Sequence, residues 1–132
     1  MIVLDATVLI GHLNPQDAHH TRATELLAGF DVDEELGASV VTLAEAMVGP
    51  ARAGEEYLTI ARQAIRDLGI AVIGWGDDAA VRLATLRATT RLKMPDCCVL
   101  AAAEQRGGPI ASFDAALAAA ARASGMTVLA DS

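Results

Sequence analysis

Short, wholly apolar runs alternate with longer amphipathic segments along this chain, and that alternation limits the fold more than any other feature. Ile2-Val3-Leu4 stops abruptly at the acid Asp5, and Ile70-Ala71-Val72-Ile73 repeats the pattern in mid-chain. A strand with one wet face alternates apolar and polar residues, whereas a strand apolar at every position is covered on both faces. Weaker strand signals lie at Leu36-Gly37-Ala38 and at Met126 to Leu129, and Pro109-Ile110-Ala111 leads into a fourth strand at Ser112-Phe113-Asp114. Helical segments separate them. Thr7 to Leu13 stops before Pro15, and Ala18 to Leu27 groups Ala23, Leu26 and Leu27 on one face. A helix bearing Val41, Leu43, Ala44 and Met47 is capped by Ser39 or Thr42 and broken or kinked at Gly49-Pro50. Glu55 to Leu68 keeps Leu58, Ala61, Ile65 and Leu68 at helical spacing and closes on Gly69. Another helix starts at Asp77 or Asp78 and runs to Thr90. The next has Pro95 in its first turn and runs through Arg106 to Gly107-Gly108-Pro109, and the last spans Asp114 to Ala123. Strand and helix in alternation predict an α/β fold: a three-layer α/β/α arrangement around a mostly parallel central sheet of four to five short strands.

The length of 132 residues suits one domain, residues 1–132. Residues are 53% hydrophobic but only 3% aromatic, so the core is aliphatic, with alanine letting helices pack closely. The mean hydropathy of +0.37 excludes a disordered chain. A formal net charge of -7 argues against coating the backbone of a long nucleic acid. No run approaches the roughly 18 apolar residues of a membrane helix, and no basic segment precedes an apolar leader at Met1. The expectation is a soluble, cytoplasmic protein. Cys97 and Cys98 are adjacent, which suits neither a disulfide nor a zinc site, and are expected to be buried free thiols.

Four acids occupy unusual places. Asp5 ends the first strand and Asp114 the fourth; in an open parallel sheet, ligands bind beyond the carboxyl ends of the strands, where strand order reverses. Asp96 opens a helix on the same edge, and Glu45 interrupts the apolar helix segment Val41 to Val48. Singly, Asp96 and Asp114 could be helix caps and Glu45 a solvated residue. Together, four carboxylates repel one another and raise each other's pKa values. A divalent cation relieves that repulsion, and hard oxygen donors favour magnesium or manganese.

Four segments also carry a resemblance. Ile2-Val3-Leu4-Asp5-Ala6-Thr7-Val8-Leu9-Ile10, Ser39-Val40-Val41-Thr42-Leu43-Ala44-Glu45, Met94-Pro95-Asp96-Cys97-Cys98-Val99-Leu100-Ala101-Ala102-Ala103 and Ile110-Ala111-Ser112-Phe113-Asp114 follow the order of the motifs in PIN-domain ribonucleases. Within that group the chain resembles VapC-type toxins of bacterial toxin–antitoxin pairs. The resemblance implies a PIN-like fold and magnesium- or manganese-dependent endonuclease cleavage of RNA, transfer or ribosomal, by attack of an ion-activated water on the phosphodiester. It implies catalytic roles for Asp5, Glu45, Asp96 and Asp114, with Asp5, Asp96 and Asp114 as metal ligands. Where the family often has Thr then Ser or Asn after the first acid, this chain has Ala6 and Thr7; where it often has Thr-Asn-Asp, this chain has Ser112-Phe113-Asp114. Thr7 and Ser112 are therefore expected as supporting hydroxyls. A further downstream acid is absent, since Ala115 and Ala116 follow. Two protein partners are implied: a second copy, giving a homodimer, and a cognate antitoxin that covers the acidic groove.

Arg82, Arg87, Arg91 and Lys93 form the densest basic stretch, just before Asp96, with Arg87 and Arg91 spaced for one helical face. They are the candidate RNA contacts, set against an ordinary solvated helix face. Trp75 reads as core or dimer packing, and His12, His19 and His20 as surface capping or packing. Two rivals remain. One is a catalytically idle PIN-like binding module. The other is a haloacid-dehalogenase-type phosphatase, which would need a second Asp two residues after Asp5, where this chain has Thr7.

Overall fold

Pairing between strands distant in sequence begins at the first residues of the chain. In a computed structural model describing residues 1–129, Val3 pairs with Gly37 on one side and with Ile110 on the other. The elements follow in the order β1 (Ile2–Leu4), α1 (Ala6–Leu13), α2 (His20–Gly29), β2 (Leu36–Ser39), α3 (Val40–Ala53), α4 (Glu55–Asp67), β3 (Ala71–Ile73), α5 (Ala79–Thr89), α6 (Met94–Arg106), β4 (Ile110–Ala111), α7 (Ala115–Ala123) and β5 (Val128–Leu129). The five strands form one sheet in the order β3-β2-β1-β4-β5, and every pairing is parallel.

This order explains the layers. From β1 the chain steps to β2 and β3 in one direction, then returns past β1 to β4 and β5 in the other. Parallel crossovers are right-handed, so reversing the direction moves the connecting helices to the opposite face. The two buried clusters record the result. Ile2 and Leu4 pack with Val8, Leu9, Ala23, Leu27, Leu43 and Ala46 from the first helices. Val3, between them, points to the other face and packs with Ile110 of β4 and with Leu86, Leu100, Leu117 and Ala121 from the later helices. The alternation of Ile2, Val3 and Leu4 is what period-two geometry demands of a strand covered on both faces. Alanine serves the close packing as expected: Ala102, Ala103, Ala118 and Ala121 are all buried. Cys97 and Cys98 are buried free thiols on α6. No described helix is long and apolar enough to cross a membrane.

Several local expectations change. The helix bearing Glu45 does not break at Gly49-Pro50; α3 continues through Pro50 to Ala53. Its last turn closes when the Gly54 N–H donates to the Pro50 carbonyl, and it stops because Gly54 adopts φ +139°. Ser39 is its cap, its hydroxyl accepting from the Thr42 N–H at 3.2 Å. The fourth strand ends at Ala111, so Ser112, Phe113 and Asp114 form a turn whose last residue caps α7. The last strand shortens to Val128–Leu129. Ala71 and Val72 of β3 are exposed despite their apolar run, because β3 is an edge strand.

Close approach of the N-terminus to β4 fixes Gly108, where a Cβ would fall 1.8 Å from the Met1 carbonyl oxygen, backbone against backbone. We expect Gly108→Ala to destabilise the fold by about 1–3 kcal/mol. Gly49→Ala, where nothing lies within 4 Å, should be neutral or stabilising by up to about 1 kcal/mol, as helix propensity dictates. Urea midpoints of both variants against the parent check the contrast.

Candidate functional site

Asp5 is the first residue after β1 and is 4% exposed. Burying a carboxylate without partners is costly, and three donors meet it. Its Oδ1 accepts from the Ala6 N–H at 2.7 Å; its Oδ2 accepts from the Thr7 hydroxyl at 2.8 Å and the Ser112 hydroxyl at 2.7 Å. Both hydroxyls are themselves fixed by the turn after β4. Thr7 Oγ1 accepts from the Phe113 N–H and Ser112 Oγ from the Asp114 N–H, each at 3.0 Å. Asp114 in turn caps α7, Oδ1 accepting from the Leu117 N–H at 2.9 Å. The cap reading of Asp114 and its place beside Asp5 therefore hold together.

The four acids singled out by sequence line one cavity of about 220 Å³: Asp5, Glu45, Asp96 and Asp114, with Thr7, Ile10, Lys93 and Pro95 among its other walls. It opens at the carboxyl ends of β1 and β4, where strand order reverses. Four elements deliver them: the end of β1, the middle of α3, the first turn of α6 and the cap of α7. Their electrostatics follow from the crowding. The Asp96 carboxyl is pushed up to about 6, first by burial and then by the charges of Asp5, Asp114 and Glu45, with Lys93 acting against them. Glu45, though exposed, is also raised, by partial burial and then by Asp5, again opposed by Lys93. Burial raises the Cys98 thiol, with Cys97 and Glu45 adding to it. This is a set of hard oxygen donors whose mutual repulsion a divalent cation would relieve. Among the described residues, however, no three Asp, Glu, His or Cys side chains stand close enough together to enclose an ion directly.

The basic stretch divides. Lys93 lines the acid cavity. Arg82 does not; on α5 it donates two hydrogen bonds to the Glu104 carboxylate on α6, beside Trp75 in a separate cavity. Arg87 is exposed on α5. Arg91 lies beyond the end of α5, so it does not share a helical face with Arg87 as the spacing had suggested. Trp75 packs against the core cluster of the α5–α6 face. His12 is within 3.1 Å of the Thr24 hydroxyl, and His20 Nδ1 is 2.8 Å from the Gly11 carbonyl. The sequence reading overlooked the surroundings of Phe113. Its ring stacks on His19 with centroids 4.8 Å apart, and the Arg22 guanidinium lies 4.6 Å from its centroid. The one available signal was an aromatic residue directly before Asp114.

The family described as PIN domain matches residues 2–123. No curated protein matches. Among solved structures, the chain is similar to Mycobacterium tuberculosis VapC20, a sarcin-ricin loop cleaving toxin, with a TM-score of 0.77 and 19% identity over 91% of this chain and 95% of that one. A toxin–antitoxin complex from Klebsiella pneumoniae gives a TM-score of 0.78 and 21% identity over 100% and 98%. FitAcB from Neisseria gonorrhoeae gives 0.73 and 23% over 99% and 98%. At such identities these likenesses concern the fold.

The raised Asp96 has a measurable consequence. Folded Asp96 keeps its proton up to about pH 6, whereas in the unfolded chain it is lost near the usual 3.8. Between those values the folded state binds more protons, so stability falls as pH rises through that window and stays at the lower level above it. In EDTA, we expect Asp96→Asn to have a higher Tm than the parent at pH 7, with the difference fading towards pH 4. Thermal unfolding at both pH values checks it.

Proposed function

The chain belongs to the PIN domain family, and from that premise we propose that it is a magnesium- or manganese-dependent endoribonuclease, the toxin of a toxin–antitoxin pair. The observation that carries this reading is the convergence of Asp5, Glu45, Asp96 and Asp114 on one cavity. Asp5, Asp96 and Asp114 are the proposed metal ligands, with Glu45 completing the acidic set. Since the side chains do not enclose an ion directly, an ion held there would make some of these contacts through water, as magnesium usually permits. When bound, the ion supplies charge neutralisation at a phosphate and lowers the pKa of a water.

The remaining work falls to the protein. The Ala6 N–H and the Thr7 and Ser112 hydroxyls hold Asp5 in one orientation, so a ligand atom is in place before substrate arrives. Lys93, the one basic residue on the cavity wall, offsets part of the repulsion the acids present to an incoming phosphate. The substrate is RNA, transfer or ribosomal; VapC20, which shares the fold, is a sarcin-ricin loop cleaving toxin. The cognate antitoxin inhibits by placing an Arg or Lys among the four acids, in competition with the metal. The active species is a cytoplasmic homodimer.

Purified protein freed of antitoxin is expected to cut RNA in magnesium or manganese and to stop in EDTA. Asp5→Asn and Asp96→Asn should each lower the rate by about a hundredfold or more, since losing several kcal/mol of charge stabilisation has that effect. Gel analysis of labelled transfer and ribosomal RNA measures this; equal rates for the parent and both variants would sink the assignment.

A further inference from the structure

The acid cavity must admit a phosphodiester, and one side chain on its wall is suited to meet it. Ten residues of the chain are Lys or Arg, and only one of the ten is a lysine. That residue, Lys93, is the one that lines the cavity. Its backbone is fixed at the start of α6, where its carbonyl accepts from the Asp96 and Cys97 N–H groups, each at 3.1 Å. The residue is exposed, and its side chain makes no capping hydrogen bond. Its charge is felt by both Glu45 and Asp96, whose carboxyls it lowers against burial and the neighbouring acids. Yet among the described residues its ammonium forms no hydrogen bond and no ion pair. A lysine placed beside four carboxylates thus keeps its N–H donors unspent.

We propose that Lys93 donates directly to a non-bridging oxygen of the scissile phosphate, as the substrate-contacting cation of the acid cavity. The proposal rests on the nuclease reading above and turns the charge compensation assigned there to Lys93 into a contact with substrate. Charge supports it. With all four acids ionised, a single divalent ion leaves two negative charges in the cavity, and a phosphodiester brings another. No second basic side chain lines the wall, so Lys93 is the only cation the protein itself presents there. Residue type supports it as well. A guanidinium is a broad planar fork, whereas an ammonium is a compact point charge on a flexible stem that serves as a phosphate binder. In a cavity of about 220 Å³ that must also take an ion, the compact group leaves room for the phosphate. The competing account makes Lys93 a counter-charge that eases the repulsion among the acids without touching substrate. That role needs the positive charge but not the N–H donors, and a chain with one lysine allows the two to be separated chemically.

The test compares the full-length parent with Lys93→Met and Lys93→Arg. Reductive methylation with formaldehyde and a borane converts the parent's one lysine to dimethyl-lysine, which keeps the charge and loses N–H donors. Lys93→Arg treated in the same way controls for the N-terminal amine, and circular dichroism checks that every form is folded. Binding of fluorescein-labelled single-stranded RNA is followed by anisotropy, with calcium replacing magnesium. Magnesium-dependent hydrolysis of bis(4-nitrophenyl) phosphate, whose only phosphate is the one attacked, is measured alongside. Lys93→Met should weaken RNA binding about tenfold, lower kcat/KM for the diester by about as much, and reduce the slope of log Kd against log salt by about 0.7, the contribution of one single-strand phosphate. The methylated parent should lose affinity and diester hydrolysis similarly, and Lys93→Arg should recover part of both. Bound RNA should slow the methylation of Lys93, read by mass spectrometry. Unchanged RNA affinity and diester hydrolysis in Lys93→Met would overturn the proposal. So would a loss of RNA affinity with diester hydrolysis intact, which would move the contact to a flanking phosphate. A parent that cuts neither RNA nor the diester, while Lys93→Met and the methylated parent still lose RNA affinity, defeats the nuclease reading and leaves a phosphate contact standing. A parent that cuts RNA, with a methylated form that binds and cuts it equally well, defeats the contact alone and leaves Lys93 a counter-charge.

Discussion

A single buried carboxylate organises this molecule. Asp5 lies in the interior at the end of the central strand, where an ionised group is tolerated only if its oxygens are met by donors. One donor, the Ala6 N–H, is local, and one, the Thr7 hydroxyl, is two residues away. The third, the Ser112 hydroxyl, comes from 107 residues along the chain. That last contact exists only if β4 lies beside β1, so satisfying Asp5 and forming the sheet are one requirement. Among the described residues no buried side-chain nitrogen or oxygen lacks a partner. The polar interior is thus completed by this network rather than left as a source of strain.

The adjacency of β1 and β4 also sets the chemistry. Because the chain reverses its direction of travel across the sheet at β1, helices leave on opposite faces and a crease opens between them. Into that crease the fold directs Glu45 from one helical layer, Asp96 from the other, and Asp114 from the turn that follows β4. Their placement works against folding: burial first, and then the charges of the neighbouring acids, hold the Asp96 carboxyl near 6 and raise Glu45. Lys93 compensates in part. A group of like charges retained at a switch point, with only one basic neighbour in the cavity, is a stability cost whose natural explanation is function.

Residues whose role depends on local chemistry were legible in the sequence. Ile2-Val3-Leu4 before Asp5, the Pro95-Asp96 opening of a helix, and the spacing of Leu58, Ala61, Ile65 and Leu68 each express a backbone rule, and the elements fall where those rules put them. Features decided by tertiary contact were not. Arg82 carries no mark in sequence that Glu104, 22 residues on, will hold it. Pro50 signals a helix end, yet it sits in a last turn that closes over it and stops only at Gly54. Ser112-Phe113-Asp114 reads as strand, but β4 ends at Ala111, and the segment instead gives its Ser112 hydroxyl to Asp5 and accepts from the Leu117 N–H of α7 through Asp114 Oδ1. Thr7 illustrates the reverse. At the position where a dehalogenase-type phosphatase would place its second acid, a hydroxyl donates to Asp5, which makes that position a support for the first carboxylate and not a partner acid.

The net charge of -7 looked at first like an argument against nucleic acid. Its distribution alters the inference. Four of the negative charges face one cavity, and a bound divalent ion would remove two units from the total at the place where repulsion of a phosphate matters most. The cations are not pooled into one stripe. Lys93 is on the cavity wall, and Arg22 is stacked on the residue beside Asp114. The overall acidity disfavours sliding along any polyanion, while a divalent ion held among the four acids would offset the repulsion at that one place. The net charge therefore argues against general binding along a polyanion and is compatible with the proposed nuclease role.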